Sequence, residues 1–293
     1  MRVFEWVLSL GTFLLAIGFS TPCPLNAAEK GMSEISEKVS TPADYQRLYF
    51  SYFGMYQGPS VANPGGRGSI DTSTLTYEEG QQNLQSQFKL DYYLSPHLFV
   101  GPVLNFQINP IAANSNFFML DSGIRIGHTR IMHTANVNLL ADFRITGPMK
   151  PENRRNDEIV DLQSLQVLTY KVPKTKLTLG IVGFHTLQLY GEARPVKSLD
   201  DLSAAKDWNL FFGPYVSYEL SSTVSAVVSY DLHPYHRVGA KWDTWTSDPS
   251  DLSPGISWDI TGDINLQTQF LIYPSQLRWD TVGTAAYLTV QFI

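Results

Sequence analysis

Asp231 and His233 lie two residues apart, so an extended strand turns both side chains to one side. An acid beside an imidazole is the pairing a hydrolase uses to orient a proton acceptor. The chain has six histidines. His128 and His133 flank a predicted turn, and His233 and His236 flank a strand end with Tyr235 between them. Without carboxylates at a fixed spacing from them and without cysteine in the mature chain, no zinc centre is expected, nor any other cofactor. Trp242, Asp243 and Trp245 alternate aromatic faces with an acid, which suits stacking on a sugar ring or on a partner surface. The plainer reading makes them boundary aromatics or the fold of a loop. Asp243, Asp248 and Asp251 carry oxygens suited to calcium, but their spacing follows no calcium-loop pattern and reads as a solvated loop. The largest chemical set is a run of charges recurring at alternate positions: Lys89, Asp91, Asp121, Arg125, Asp142, Arg144, Lys176, Glu219, Asp231 and Asp259. Asn136 and Asn138 share their parity. Their signs nearly balance. Such charges either pair and fill an interior or set a field along a hydrated passage.

Strands must position these groups. In 83–94, Asn83, Gln85, Gln87, Lys89 and Asp91 alternate with Leu84, Phe88, Leu90, Tyr92 and Leu94, the period of a strand with one polar and one apolar face. Similar segments begin at Gln46 and lie near 98–108, 117–127, 131–146, 159–171, 175–189, 208–220, 224–233, 255–261, 264–273 and 281–293. Mixed parity in 159–171 suggests a bulge. The pattern gives twelve antiparallel strands, with ten or fourteen as alternatives. Short turns at Ser95-Pro96-His97, Val172-Pro173-Lys174, Ser221-Ser222-Thr223 and Gly262-Asp263 alternate with long loops, notably 147–158, 190–207 and 234–254. Gly123, Gly127, Gly180 and Gly213 fall on the polar parity, where they leave space or receive a neighbouring ring.

Composition fits a barrel in lipid. The chain is 43% hydrophobic and 13% aromatic with only 16% charged residues, and beyond its first residues no apolar run approaches 18 positions. A formal charge of −6 and the lack of a Lys/Arg cluster argue against nucleic acid as a partner. Residues 1–28 (Arg2, an apolar run from Val7 to Phe19, then Leu25-Asn26-Ala27-Ala28) read as a cleaved signal peptide. Cleavage there removes Cys23, the only cysteine, and with it any disulfide or thiolate chemistry. Residues 29–44 read as a polar tail and 45–293 as one domain.

The last segment alternates Val282, Ala286, Leu288, Val290 and Phe292 with Gly283, Tyr287, Thr289 and Gln291. With Tyr287 and Phe292 near its end, it resembles the C-terminal insertion signal of Gram-negative outer-membrane β-barrels. The resemblance implies an all-β, up-and-down transmembrane barrel in the outer membrane, with termini and short turns periplasmic and long loops extracellular. It also implies lipid and the barrel-insertion machinery as partners. The outer-membrane phospholipase A family carries His-x-Ser on one strand, and no histidine here is followed two residues later by serine. Omptin-like proteases need acidic pairs beside Asp-His, of which Asp231 and His233 offer only one couple. The expectation is therefore a non-enzymatic channel for small hydrophilic solutes or ions through a narrow lumen of mixed charge. The alternatives are a closed barrel acting through its loops and, behind that, a membrane hydrolase. Oligomeric state is left open, because lipid contacts and subunit contacts read alike.

Overall fold

A computed structural model describes residues 47–64, 66, 68–70, 77–79, 82–108, 117–149, 153, 157–191 and 206–292. The expected signal peptide (1–28) and polar tail (29–44) lie outside this set. The strands are β1 (Leu48–Gly58), β2 (Gly68–Ile70), β3 (Tyr77–Glu79), β4 (Asn83–Tyr93), β5 (Leu98–Ile108), β6 (Phe117–His133), β7 (Val137–Gly147), β8 (Glu158–Lys171), β9 (Leu177–Tyr190), β10 (Lys206–Glu219), β11 (Val224–Arg237), β12 (Trp245–Thr261), β13 (Ile264–Leu271) and β14 (Gly283–Phe292). Each of β4 to β14 pairs antiparallel with its chain neighbour, and β1 closes the circle between β14 and β4, giving a twelve-stranded barrel. β2 and β3 form a separate small hairpin in the first long connection.

Closure follows from the alternation read in the sequence. Register pairs run unbroken from Phe50↔Phe292 to Gly58↔Thr284 and from Leu48↔Tyr92 to Gln57↔Asn83. One parity faces outward and is apolar: Leu90, Leu104, Ile124, Ile145 and Val228 are all exposed. The other parity is buried in the barrel. On the outer face the rings of Phe292, Phe50, Phe88, Phe106 and Phe117 form a cross-strand ladder, each 5.1–5.6 Å from the next. The short turns and the last residue of β14 share one end, the turn end; the long connections share the other, the loop end.

Several strand boundaries differ from the sequence reading. β6 continues through His128 and His133 to a turn at 134–136, because Thr129 backbone N–H bonds His97 O and extends the ladder past the expected break. The segment 234–254 is mostly strand: β11 reaches Arg237, β12 starts at Trp245, and the connection is 238–244. Pairs such as Tyr235↔Thr246 and His236↔Trp245 prolong this hairpin, and a register shift between Asp231 and His233 absorbs an extra residue on β12. The prolines Pro234, Pro249 and Pro254 suggested a loop, but strand ends and bulges tolerate a missing donor. The irregularity expected within 159–171 is confined to a shift between Glu158 and Val160.

The interior is not uniform. Tyr93, Phe99, Leu140, Leu165, Val167, Val182, Phe184, Phe211 and Tyr215 form one apolar cluster along β4–β10. Phe53, Met55, Ala285 and Tyr287 form a second on β1 and β14. Two of the expected glycines receive rings: a Cβ on Gly127 would lie 2.2 Å from the Phe99 ring, and one on Gly180 would lie 2.1 Å from that of Tyr215. Both rings therefore lie against the wall rather than across the lumen. Gly127→Ala should lower stability by about 1–3 kcal/mol through overpacking, and the same substitution should cost less in a Phe99→Ala background. Urea midpoints of the heat-modifiable folded band check both.

Candidate functional site

Five of the ten charges picked from the sequence meet on the interior wall of β4, β6 and β7. Arg125 donates from Nε to Asp91 Oδ1 at 2.8 Å, from Nη2 to Asp91 Oδ2, and from Nη1 to Asp142 Oδ2 at 2.6 Å. Arg144 donates from Nε to Asp142 Oδ1 at 2.9 Å and from Nη2 to Oδ2 at 3.2 Å. Asp91 and Arg125 sit on strands separated by β5. Gly101 of β5 pairs with Arg125, and a Cβ there would lie 1.7 Å from the Leu90 carbonyl oxygen. Without a side chain there, the β5 backbone closes on that of β4 at Leu90 and Asp91. Phe99 lies beneath the guanidinium, its centroid 4.5 Å from Arg125 Cζ, and Phe184 lies 5.7 Å from Arg144 Cζ. Lys89 completes the group, 6.0 Å from the Phe53 ring. All five charged side chains are buried, Asp142 to 1% exposure.

The facing wall is different in kind. β6 and β12 are six strands apart in either direction around the barrel. Arg144 is seven residues beyond the start of β7 and Asp231 seven beyond the start of β11, so the two sets occupy a similar level. Asp231 stands directly opposite Asp251. Ser253 Oγ donates to Asp251 Oδ1 at 2.6 Å, Ser229 Oγ reaches Asp231 Oδ2 at 3.5 Å, and His233 Nε2 lies 3.3 Å from Asp251 Oδ2. The imidazole thus engages Asp251 rather than Asp231, with its ring 5.4 Å from Phe211. The inward side of β11–β14 continues with Ser225, Ser257, Asn265, Gln267, Gln269 and Thr289, all buried. Asn265 Oδ1, Gln267 Nε2, Gln269 Nε2 and Thr289 Oγ1 have no hydrogen-bond partner in the protein. Sequence reading followed charge and missed these amides; the alternation of Asn265, Gln267 and Gln269 was the signal available.

The other expected site residues separate. Asp121 accepts from Met149 N at 2.7 Å and from Asn153 Nδ2 at 2.6 Å, near the loop end and close to Glu158 and Asp161. Asp259 accepts from Asn265 Nδ2 at 2.6 Å near the turn end. Lys176 and Glu219 are exposed at the turn end, where Glu219 N bonds Lys176 O. They are rim residues, because β9 and β10 meet their turns at these positions. Trp242 and Trp245 gather with Trp208 around His236 at ring separations of 5.0–5.7 Å. His236 Nδ1 is 2.7 Å from Asp207 Oδ1. Trp208, His236 and Trp245 are register partners on three adjacent strands, with Trp242 capping them at 67% exposure. Asp243 is exposed beside them. Tyr287 faces inward and Phe292 outward, as their parity requires. In the turn 94–97, burial first and the Arg130 charge next hold the His97 imidazole below its ordinary range.

Comparisons with known proteins bear on the fold. An outer membrane channel from Pseudomonas putida F1 is similar over 86% of this chain and 99% of its own, with a TM-score of 0.51 at 11% identity. The NanC porin aligns over 83% and 99% with a TM-score of 0.46 and 11% identity, and Salmonella typhi OmpF over 84% and 97% with 0.38 and 9%. No family model and no curated protein matches the chain. The first likeness, with the closed twelve-stranded topology, establishes a porin-type outer-membrane barrel fold; at this identity it transfers no residue role.

Asp142 bridges two guanidinium groups, accepting from both Arg125 and Arg144. Asp142→Asn should destabilise the barrel by about 3–5 kcal/mol by leaving buried positive charge uncompensated, while Asp142→Asn with Arg144→Met should cost less. Denaturant midpoints of the folded band give both values.

Proposed function

We propose that the protein is an outer-membrane channel passing small hydrophilic solutes or ions, with the turn end and both termini periplasmic and the loop end extracellular. The observation that carries this reading is the inward wall of β11–β14. Gln267 is 1% exposed, and its Nε2 and that of Gln269 find no acceptor in the protein. A buried amide left unsatisfied costs about 1–3 kcal/mol, so these atoms call for internal waters or a polar solute as partners, as Asn138 Oδ1 on β7 and Thr186 Oγ1 on β9 also do. Asp231 and Asp251 on the same wall favour the same medium, since adjacent carboxylates separate poorly from water. The packed wall of β4–β10 narrows the passage to one side of the barrel.

The pore-lining roles assigned from sequence divide accordingly. Asp231 and Asp259 belong to the hydrated side. Lys89, Asp91, Arg125, Asp142 and Arg144 form a braced wall that turns a positive excess toward it, and Asp121 helps fix the loop end. The long connections and the Trp242–Trp245 cluster lie at the outer boundary, where amphipathic rings favour the lipid–water interface. Surface binding through these loops, by a closed barrel, is the competing reading.

Planar-bilayer recordings of the refolded chain separate the two. A channel gives reproducible unitary steps, and Asp231→Asn with Asp251→Asn shifts selectivity away from cations. A folded, heat-modifiable barrel that stays silent contradicts the channel and favours the loop reading.

A further inference from the structure

The braced wall holds three cations and only two carboxylates. All five oxygen–nitrogen contacts made by Asp91 and Asp142 go to Arg125 and Arg144. Every nitrogen of Arg125 is occupied by them. Arg144 uses Nε and Nη2, leaving Nη1 with no acceptor, and no acceptor reaches the Lys89 ammonium among the described residues. Lys89 is 6% exposed, on the inward parity of β4, where Arg125 and Arg144 repel its charge and Asp142 and Asp91 attract it without a direct contact. With three cations set against two carboxylates, the group keeps one positive charge in excess, which a further anion would balance.

We propose that Lys89 Nζ and Arg144 Nη1 form a binding site for a small oxyanion, a carboxylate or phosphate group, on the passage wall. The inference rests on the channel reading and gives it a solute class. The donors differ in geometry: Arg144 offers one directed N–H edge, and Lys89 a point charge with three donors. Phe53 and Phe184 flank the pair and exclude water from its sides, strengthening the electrostatic attraction. The passage would therefore set a spare positive group on the β4–β7 wall against the Asp231–Asp251 pair opposite. Anions are held on the first wall and repelled from the second, so they travel along the braced side.

The test is single-channel recording under a salt gradient in potassium chloride, potassium acetate and potassium phosphate. Lys89→Met should move the reversal potential toward cations, changing the anion-to-cation permeability ratio by about two- to fivefold, and Lys89→Arg should retain most of the anion preference. On the unsubstituted channel, millimolar acetate or phosphate added to chloride should reduce unitary current saturably; whichever acts at lower concentration identifies the preferred head group. Conducting channels in which Lys89→Met leaves the reversal potential unchanged, or in which neither anion reduces chloride current, overturn the site while leaving the channel intact. Absence of conductance in every variant, with folding confirmed by heat modifiability, contradicts the channel reading and the site with it.

Discussion

Backbone closure is the constraint on which everything else depends. In hydrocarbon an unpaired N–H or C=O has no solvent to turn to, so a sheet that enters lipid must leave no edge. Here β1 pairs on both sides, with β14 and with β4. That double pairing is what converts the ten sequential pairings from β4 to β14 into a circle. It also fixes side-chain parity around the ring: once one strand presents its apolar file to lipid, each neighbour in register must do likewise.

Parity then dictates where charge goes. The interior receives groups that cannot face lipid, and two solutions coexist inside one barrel. Along β4–β10, Arg125 and Arg144 are bound by Asp91 and Asp142 and flanked by rings, with the Lys89 charge left over. Glycines allow the close approach: Gly101 brings the β5 backbone against β4 beside Asp91, and Gly127 accepts Phe99. Along β11–β14, serine, asparagine and glutamine side chains keep hydrogen-bonding atoms without protein partners. The first wall is ionic and ring-covered; the second is lined by neutral polar side chains, Gln267 and Ser253 among them. The channel reading draws on that neutral polar lining rather than on any single residue.

The architecture was legible because lipid on one side makes alternation strict. The segments 83–94 and 98–108 were read nearly to the residue, and the distribution of short turns predicted which end holds both chain termini of the barrel. Boundaries failed where a strand outlasts its hydrophobic pattern. Beyond the lipid there is no penalty for polar residues on both faces, so the upper parts of β11 and β12 resembled a loop. Lys176 and Glu219 failed for the same reason at the opposite end: parity continues past the wall onto the rim. Pairings across a skipped strand, such as Arg125 with Asp91, are invisible in linear order. So was the choice His233 makes between Asp231, two residues away, and Asp251 on β12, because a bulge decides it.

Water on the β11–β14 wall is the central claim, and thiol labelling in a conducting bilayer tests it most directly. The chain from Glu29 onward has no cysteine, so Asp231→Cys introduces a unique thiol. A charged, water-soluble methanethiosulfonate should modify it and step the single-channel current to a new level, whereas a thiol at Leu140, within the packed cluster, should stay unreactive. A folded barrel in which Cys at position 231 resists the reagent, or reacts without changing the current, contradicts a passage along that wall.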